Sequence, residues 1–267
     1  MLRSRILTAI ILVPIVLWLI FYASPLIFLE ATIVILLLAS WEWSHLCGLT
    51  HIGARFLYFY MICMLQVLVF VINPLWVLWV SAIFWCIAFL LILFYPRVNA
   101  CNTVFVRGLM GAFVLTPCIV ALNVMRSWEQ GSQLLLYFLL LIWIADTAAY
   151  FAGKRYGVTK LAPLVSPGKS VQGLIGAISV TFLFSLLYAI FSKAVFIYYV
   201  PFFVGLSLIT MLFSVVGDLF ESMLKREVGV KDSGSLLPGH GGILDRIDSI
   251  TAAAPIFLIG LFVLKQI

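Results

Sequence analysis

The chain has 267 residues, 65% of them hydrophobic and only 10% charged, with a mean hydropathy of +1.22. Soluble domains are about half apolar and a quarter charged, so a soluble enzyme is excluded. The net charge of +6 would suggest a nucleic-acid partner in a soluble chain, but here the Lys and Arg residues follow membrane topology and no nucleic acid is expected. A helix needs about 20 residues to cross roughly 30 Å of hydrocarbon, so the chain holds about nine spans and no separate soluble domain. Lipid cannot hydrogen-bond a backbone, and the long apolar runs lack the alternation of a barrel. The expected fold class is an all-α polytopic integral membrane protein with about nine transmembrane helices.

Arg3 and Arg5 precede an apolar run from Ile6 to about Ala23 that reads as a retained first span rather than a cleaved leader. Further spans are predicted at 25–41, 56–73, 75–96, 104–123, 133–153, 171–192, 195–218 and 247–265. Ser24-Pro25 and Asn73-Pro74 are tight turns, because proline drives the preceding residue out of helix. Trp41, Trp43, Trp76, Trp79 and Trp128 fall near span ends, where most would form an interfacial belt. Trp41-Glu42-Trp43-Ser44-His45, with His51, has no metal-ligand spacing and reads as interface anchoring; Glu30 is given no role. The five cysteines, without CxxC spacing, are expected to be packing residues. Residues 1–130 make an N-terminal region of about five spans, and 131–267 a C-terminal region with cytoplasmic loops at 154–170 and 219–246. With the N-terminus cytoplasmic, thirteen cations fall inside and only Arg126, Lys193 and Lys265 outside, which sets the orientation.

The scarce polar residues gather in two places. Asp146 lies inside an apolar run, four residues before Tyr150, and an intramembrane carboxylate points to function by default. The loop after it carries Ser166-Pro167-Gly168-Lys169-Ser170. Gly168-Lys169-Ser170 is not a Walker A site, because Pro163 stands where that motif needs glycine. A Pro-Gly turn feeding a helix N-terminus can still offer backbone N–H groups and Lys169 to a phosphate. The second place, 218–248, holds ten of the chain's 26 charged residues. Asp218, Glu221 and Ser222 share one helix face, and Asp245 and Asp248 repeat the three-residue spacing where the last span begins. Carboxylates at membrane depth cost about 2.5–3.5 kcal/mol each, so a cation must offset them. Two readings are open: a divalent metal, with Mg²⁺ suited to hard oxygen ligands, or pairing with Lys225, Arg226 and Arg246.

Ser222-x-Leu224-Lys225-Arg226-x₄-Lys231-Asp232-x-Gly234-x₂-Leu237-Pro238-x-His240-Gly241-Gly242-Ile243-x-Asp245-Arg246-Ile247-Asp248 resembles the signature of the phosphatidate cytidylyltransferases. The stretch from Asp146 through Tyr150, Gly153, Gly157 and Ser166-Pro167-Gly168-Lys169 to Gly173 is similar to that family's second segment. Ser170 keeps a hydroxyl where threonine is more usual. The resemblance covers the C-terminal half. It implies transfer of CMP from CTP to phosphatidic acid at the cytoplasmic face of a bacterial inner membrane, giving CDP-diacylglycerol and pyrophosphate, by a homodimer. It implies a Mg²⁺ site at Asp218 and Asp245, with Asp248 one turn on. Lys225, Arg226, Lys231 and Arg246 would bind phosphates, joined by Lys169, Ser166 and Ser170, with Asp146 and Asp232 in the substrate site. Gly241-Gly242 would let backbone approach phosphate, and His240 would bind it before acting as a base. Two rivals are an ion-coupled transporter using Asp146, Asp218 and Asp245, and a CTP-using lipid kinase.

Overall fold

The computed structural model describes residues 2–97, 103–192, 199–236 and 241–266, excepting the side chains of 2–9, 74 and 265–266. The chain is helical almost throughout: α1 Leu2–Phe21, α2 Pro25–Leu46, α3 Ile52–Ile72, α4 Pro74–Phe94, α5 Val104–Ser127, α6 Gly131–Tyr156, α7 Val171–Phe191, α8 Val200–Val228 and α9 Leu244–Gln266. Eight of them, α2 to α9, are long and apolar enough to cross a membrane; in α1 the apolar stretch among described side chains is Ile10–Phe21. The all-α polytopic class is thus present.

The helix starts follow from local chemistry. Ser24 Oγ accepts from Ile27 N–H ahead of Pro25, and Asn73 Oδ1 accepts from Leu75 N–H at 2.9 Å ahead of Pro74. In both, an N-cap side chain takes an orphan amide while proline occupies a position needing no donor. His51 caps α3 through Nδ1, accepting from Gly53 N–H, which gives the residue a local structural job.

Two departures from the sequence reading matter for the site. First, α8 runs to Val228, ten residues beyond the predicted span end, so Asp218, Glu221, Ser222, Lys225 and Arg226 all lie on one helix. Lys225 and Arg226 near its C-terminus suit the helix dipole, and Gly229, at φ +75, ends it in the left-handed conformation that glycine adopts freely. Second, the loop after α6 contains an antiparallel hairpin, β1 Lys160–Ala162 and β2 Ser166–Ser170. Pro167-Gly168 lies within β2; the turn is 163–165, where Val165 buries into the core.

The apolar interior of the described residues forms two large clusters and a small third one of Ala145, Ala177 and Met211. Of the large ones, one joins Trp43, Phe84, Trp85, Phe220 and Leu244, and the other Phe28, Tyr137, Phe138, Phe203 and Phe257. Trp76 and Trp79 are exposed as belt residues should be, but Trp43 is 1% exposed and donates Nε1–H to the Arg107 carbonyl at 2.8 Å, a core role. Cys47 and Cys118 are buried and free, and burial pushes the Cys47 thiol up to about 12. Cys101 lies outside the described residues.

The site rests on the packing of α8 along α9 and of α6 along α7. Backbones approach closely where side chains vanish: a Cβ on Gly217 would overlap the Asp248 carbonyl, and one on Gly176 would overlap the Ala152 methyl. Nothing lies within 4 Å of a Cβ on Gly205 in the same helix α8. Gly217→Ala is therefore expected to cost about 1–3 kcal/mol through overpacking, whereas Gly205→Ala is neutral or stabilising. Thermal unfolding of both variants in detergent checks this; equal midpoints would contradict the close α8–α9 contact.

Candidate active site

Helix geometry puts Asp218, Glu221, Ser222 and Lys225 on one face of α8, three or four residues apart. Gly217 lets that face meet the start of α9, where Asp245 and Asp248 stand one turn apart. Lys225 bridges the two helices: its Nζ donates to Asp245 Oδ1 at 2.7 Å and to Glu221 Oε1 at 3.1 Å. All three side chains are at most 9% exposed, so these pairs are little screened by water. The pairing reading of the sequence is realised for Lys225.

Asp245 is held by three donors. Beyond Lys225, it accepts Ser233 N–H at 3.1 Å and Gly242 N–H at 2.8 Å on Oδ2. Gly241 has φ +80, and a Cβ there would press on Asp245 Oδ2. The paired glycines therefore bring backbone against the Asp245 carboxylate, and the Gly242 amide is spent on it.

A second group forms around the hairpin. Lys169, carried by β2, reaches Asp218 Oδ2 at 2.6 Å, and Ser222 donates to Asp218 Oδ1. Ser170 ends β2 as the N-cap of α7, its Oγ accepting from Gly173 N–H at 3.1 Å. Gln172 Oε1, in the first turn of α7, accepts from Val158 and Thr159 N–H, tying the link between α6 and β1 to α7. These contacts wall a cleft of about 350 Å³ whose polar lining is Asp146, Tyr150, Lys154, Lys169, Ser170 and Asp218. Exposed Lys154 has its Nζ 5.8 Å from the Tyr150 ring centroid. An apolar hollow of similar size, about 350 Å³, shares Leu161, Leu174 and Val215 with this cleft.

Asp248 joins the two groups: it interacts electrostatically with Asp218, Lys169 and Lys225, and Glu221 with Asp248 and Asp245. The structure thus gathers Asp146, Asp218, Asp245, Asp248, Lys169, Ser170, Lys225, Gly241 and Gly242. Ser166 opens β2 opposite Ala162. Arg226 turns to the hairpin, donating Nε–H to the Val165 carbonyl at 3.3 Å. Lys231, Asp232 and Arg246 are exposed around the segment joining α8 to α9. His240 lies outside the described residues.

Five carboxylates, namely Asp146, Asp218, Glu221, Asp245 and Asp248, face Lys169 and Lys225. Glu221 Oε2 is buried and has no hydrogen-bond partner. No group of three or more metal-ligating side chains is assembled among the described residues.

One carboxylate that the sequence assigned to interface anchoring belongs instead to this site. Glu42, on α2, is 3% exposed and accepts from Ser233 Oγ at 3.1 Å, Ile243 N–H at 3.0 Å and Leu244 N–H at 2.8 Å. Its neighbours Trp41 and Trp43 disguised it as a belt residue. The available signal was its isolation, for it is the only acid between residues 31 and 128.

A membrane-embedded helical enzyme with a lysine-bridged carboxylate centre beside a cleft lined by two lysines and two aspartates is the class that this fold and site define. The family described as the cytidylyltransferase family matches residues 3–264. The chain is 37% identical over 260 residues to the phosphatidate cytidylyltransferase of Pseudomonas aeruginosa, with 96% of each chain covered. It is 36% identical over 283 residues to that of Haemophilus influenzae, covering 96% of this chain and 97% of the relative. A Staphylococcus aureus protein of the same name is 40% identical over 149 residues, 54% of this chain and 55% of its own. The chain belongs to the cytidylyltransferase family.

Removing one partner of a buried ion pair leaves the other uncompensated, at a cost of about 3–5 kcal/mol. Lys225→Met, which strands both Glu221 and Asp245, is expected to destabilise the protein by at least that much, read from denaturation in detergent. A loss under about 1 kcal/mol, the range of exposed pairs, would contradict the bridge.

Proposed function

We propose that the chain is a phosphatidate cytidylyltransferase, transferring CMP from CTP to phosphatidic acid in phospholipid biosynthesis. The observation that carries this reading is the union of a lysine-lined cleft with a carboxylate-rich helix crossing, in a chain that aligns over 96% of its length with relatives of that name. In the reaction, an oxygen of the phosphate monoester attacks the α-phosphorus of CTP. The new P–O bond forms as the bond to the β-phosphate breaks, and pyrophosphate leaves with the displaced electron pair. Both substrates are strongly anionic, so the site must position them in line against their mutual repulsion.

Lys169 and Lys154 are suited to hold phosphate oxygens in the cleft, with Ser166 on the same hairpin. The adjoining apolar hollow, lined by Phe89, Leu161, Leu174 and Leu212, suits the acyl chains of the lipid. Arg226 on α8, Arg246 on α9, and Lys231 and Asp232 between them would add phosphate and substrate contacts, with Gly241-Gly242 following and His240 adjacent in sequence. Five carboxylates against Lys154, Lys169 and Lys225 would repel a triphosphate, and that excess of negative charge fits a divalent cation. Mg²⁺ needs only one or two protein carboxylates when phosphate oxygens and water complete its shell. Asp218 and Asp248 would hold it, with Asp245 fixing the geometry behind them. When bound, the ion supplies neutralisation of phosphate charge.

The cytoplasmic orientation of the site in a bacterial inner membrane is part of this proposal, supported by the thirteen-to-three distribution of cations and by bacterial relatives. A homodimer is proposed on family resemblance alone. Purified protein in detergent, given CTP, phosphatidic acid and Mg²⁺, is expected to form CDP-diacylglycerol and pyrophosphate by mass spectrometry. Release of CDP with a phosphorylated lipid, or no lipid product, would overturn the reading. Lys169→Ala is expected to raise KM for CTP or phosphatidate about tenfold or more; unchanged constants would remove it from the site.

A further inference from the structure

We infer that Glu42 is a positioning residue for this reaction: from α2 it pins both ends of the segment that orients Asp245. The inference rests on the proposed function. Three successive backbone amides, those of Gly242, Ile243 and Leu244, lead into α9, whose first amides have no partner within the helix. Two carboxylates take them all. Gly242 N–H goes to Asp245, while Ile243 and Leu244 N–H go to the two oxygens of Glu42.

The far end of the same segment is tied to the same two groups. Ser233 gives its hydroxyl to Glu42 Oε2 and its amide to Asp245. Residues 233 and 242 thus meet at a common base formed by one carboxylate from α2 and one from α9. Packing leaves Glu42 no slack. A Cβ on Gly234 or on Gly242 would overlap a Glu42 carboxylate oxygen, so both glycines leave room for that carboxylate.

Three donors converge on one buried carboxylate, and these bonds are charge-assisted. An amide of the same shape cannot replace it: with one oxygen facing either Ile243 or Leu244, its NH₂ would confront the other N–H. The base would loosen, and with it the frame of Asp245 and Lys225. Misplacing a reacting constellation by about 1 Å can cost up to about 10²-fold in rate.

Glu42→Gln in the full-length protein, purified in detergent and assayed per folded molecule, is expected to lower kcat at least about tenfold while the KM values for CTP and phosphatidate stay within about twofold. Ser233→Ala removes one donor and is expected to lower kcat about threefold, with no further loss when combined with Glu42→Gln, because both act through one contact. Wild-type kcat in Glu42→Gln, a change confined to KM, or multiplicative losses in the double variant would overturn the inference. If Glu42→Gln does not fold, Ser233→Ala decides alone: a reduced kcat supports positioning and an unchanged kcat refutes it. An inactive wild-type protein would instead refute the functional reading.

Discussion

The crossing of α8 and α9 is the constraint on which the rest depends. Carboxylates cannot sit together at the edge of a membrane without compensating charge, and this crossing collects Asp218, Glu221, Asp245 and Asp248. Gly217 permits the approach by removing a side chain from the contact with the Asp248 backbone. Lys225 makes it tolerable by joining Glu221 to Asp245 across the two helices. Lys169 reaches Asp218 from the hairpin, which is why the segment between α6 and α7 must fold back as two short strands rather than extend into water. The balance is incomplete among the described residues: Glu221 Oε2 stays buried without a hydrogen-bond partner.

The N-terminal half is more than a lipid-facing scaffold. α2 and α5 pack on α9, and Glu42 closes the base of the segment leading into it. The charged motif therefore does not stand alone. Its amides and its glycines are matched to a carboxylate about 200 residues earlier in the chain, where helix N-terminal donors would otherwise be left unsatisfied.

The membrane class and the charged centre were legible because both rest on contrast. Apolar runs of span length identify themselves, and Asp146, Asp218 and Asp245 stand out because charge inside such runs is costly. The ends were harder to see. α8 outlasts its apolar run by ten residues because Lys225 and Glu221 satisfy each other one turn apart, a pairing that hydropathy alone does not register. The hairpin was hidden because strands of three and five residues, one holding Pro167-Gly168, carry no alternation. Glu42 was missed for a different reason. Between two tryptophans at a helix end it has the local signature of an interface, and only the tertiary fold reveals the donors waiting for it.

The excess of carboxylates over lysines at the crossing fits the proposal that a divalent cation completes the site. Electron paramagnetic resonance of Mn²⁺ titrated into the purified protein in detergent, without turnover, tests it most directly. A saturable bound signal is expected, tightened by CTP and abolished in Asp218→Asn combined with Asp248→Asn. Mn²⁺ that stays free with CTP present, or binding that survives in that double variant, would contradict it.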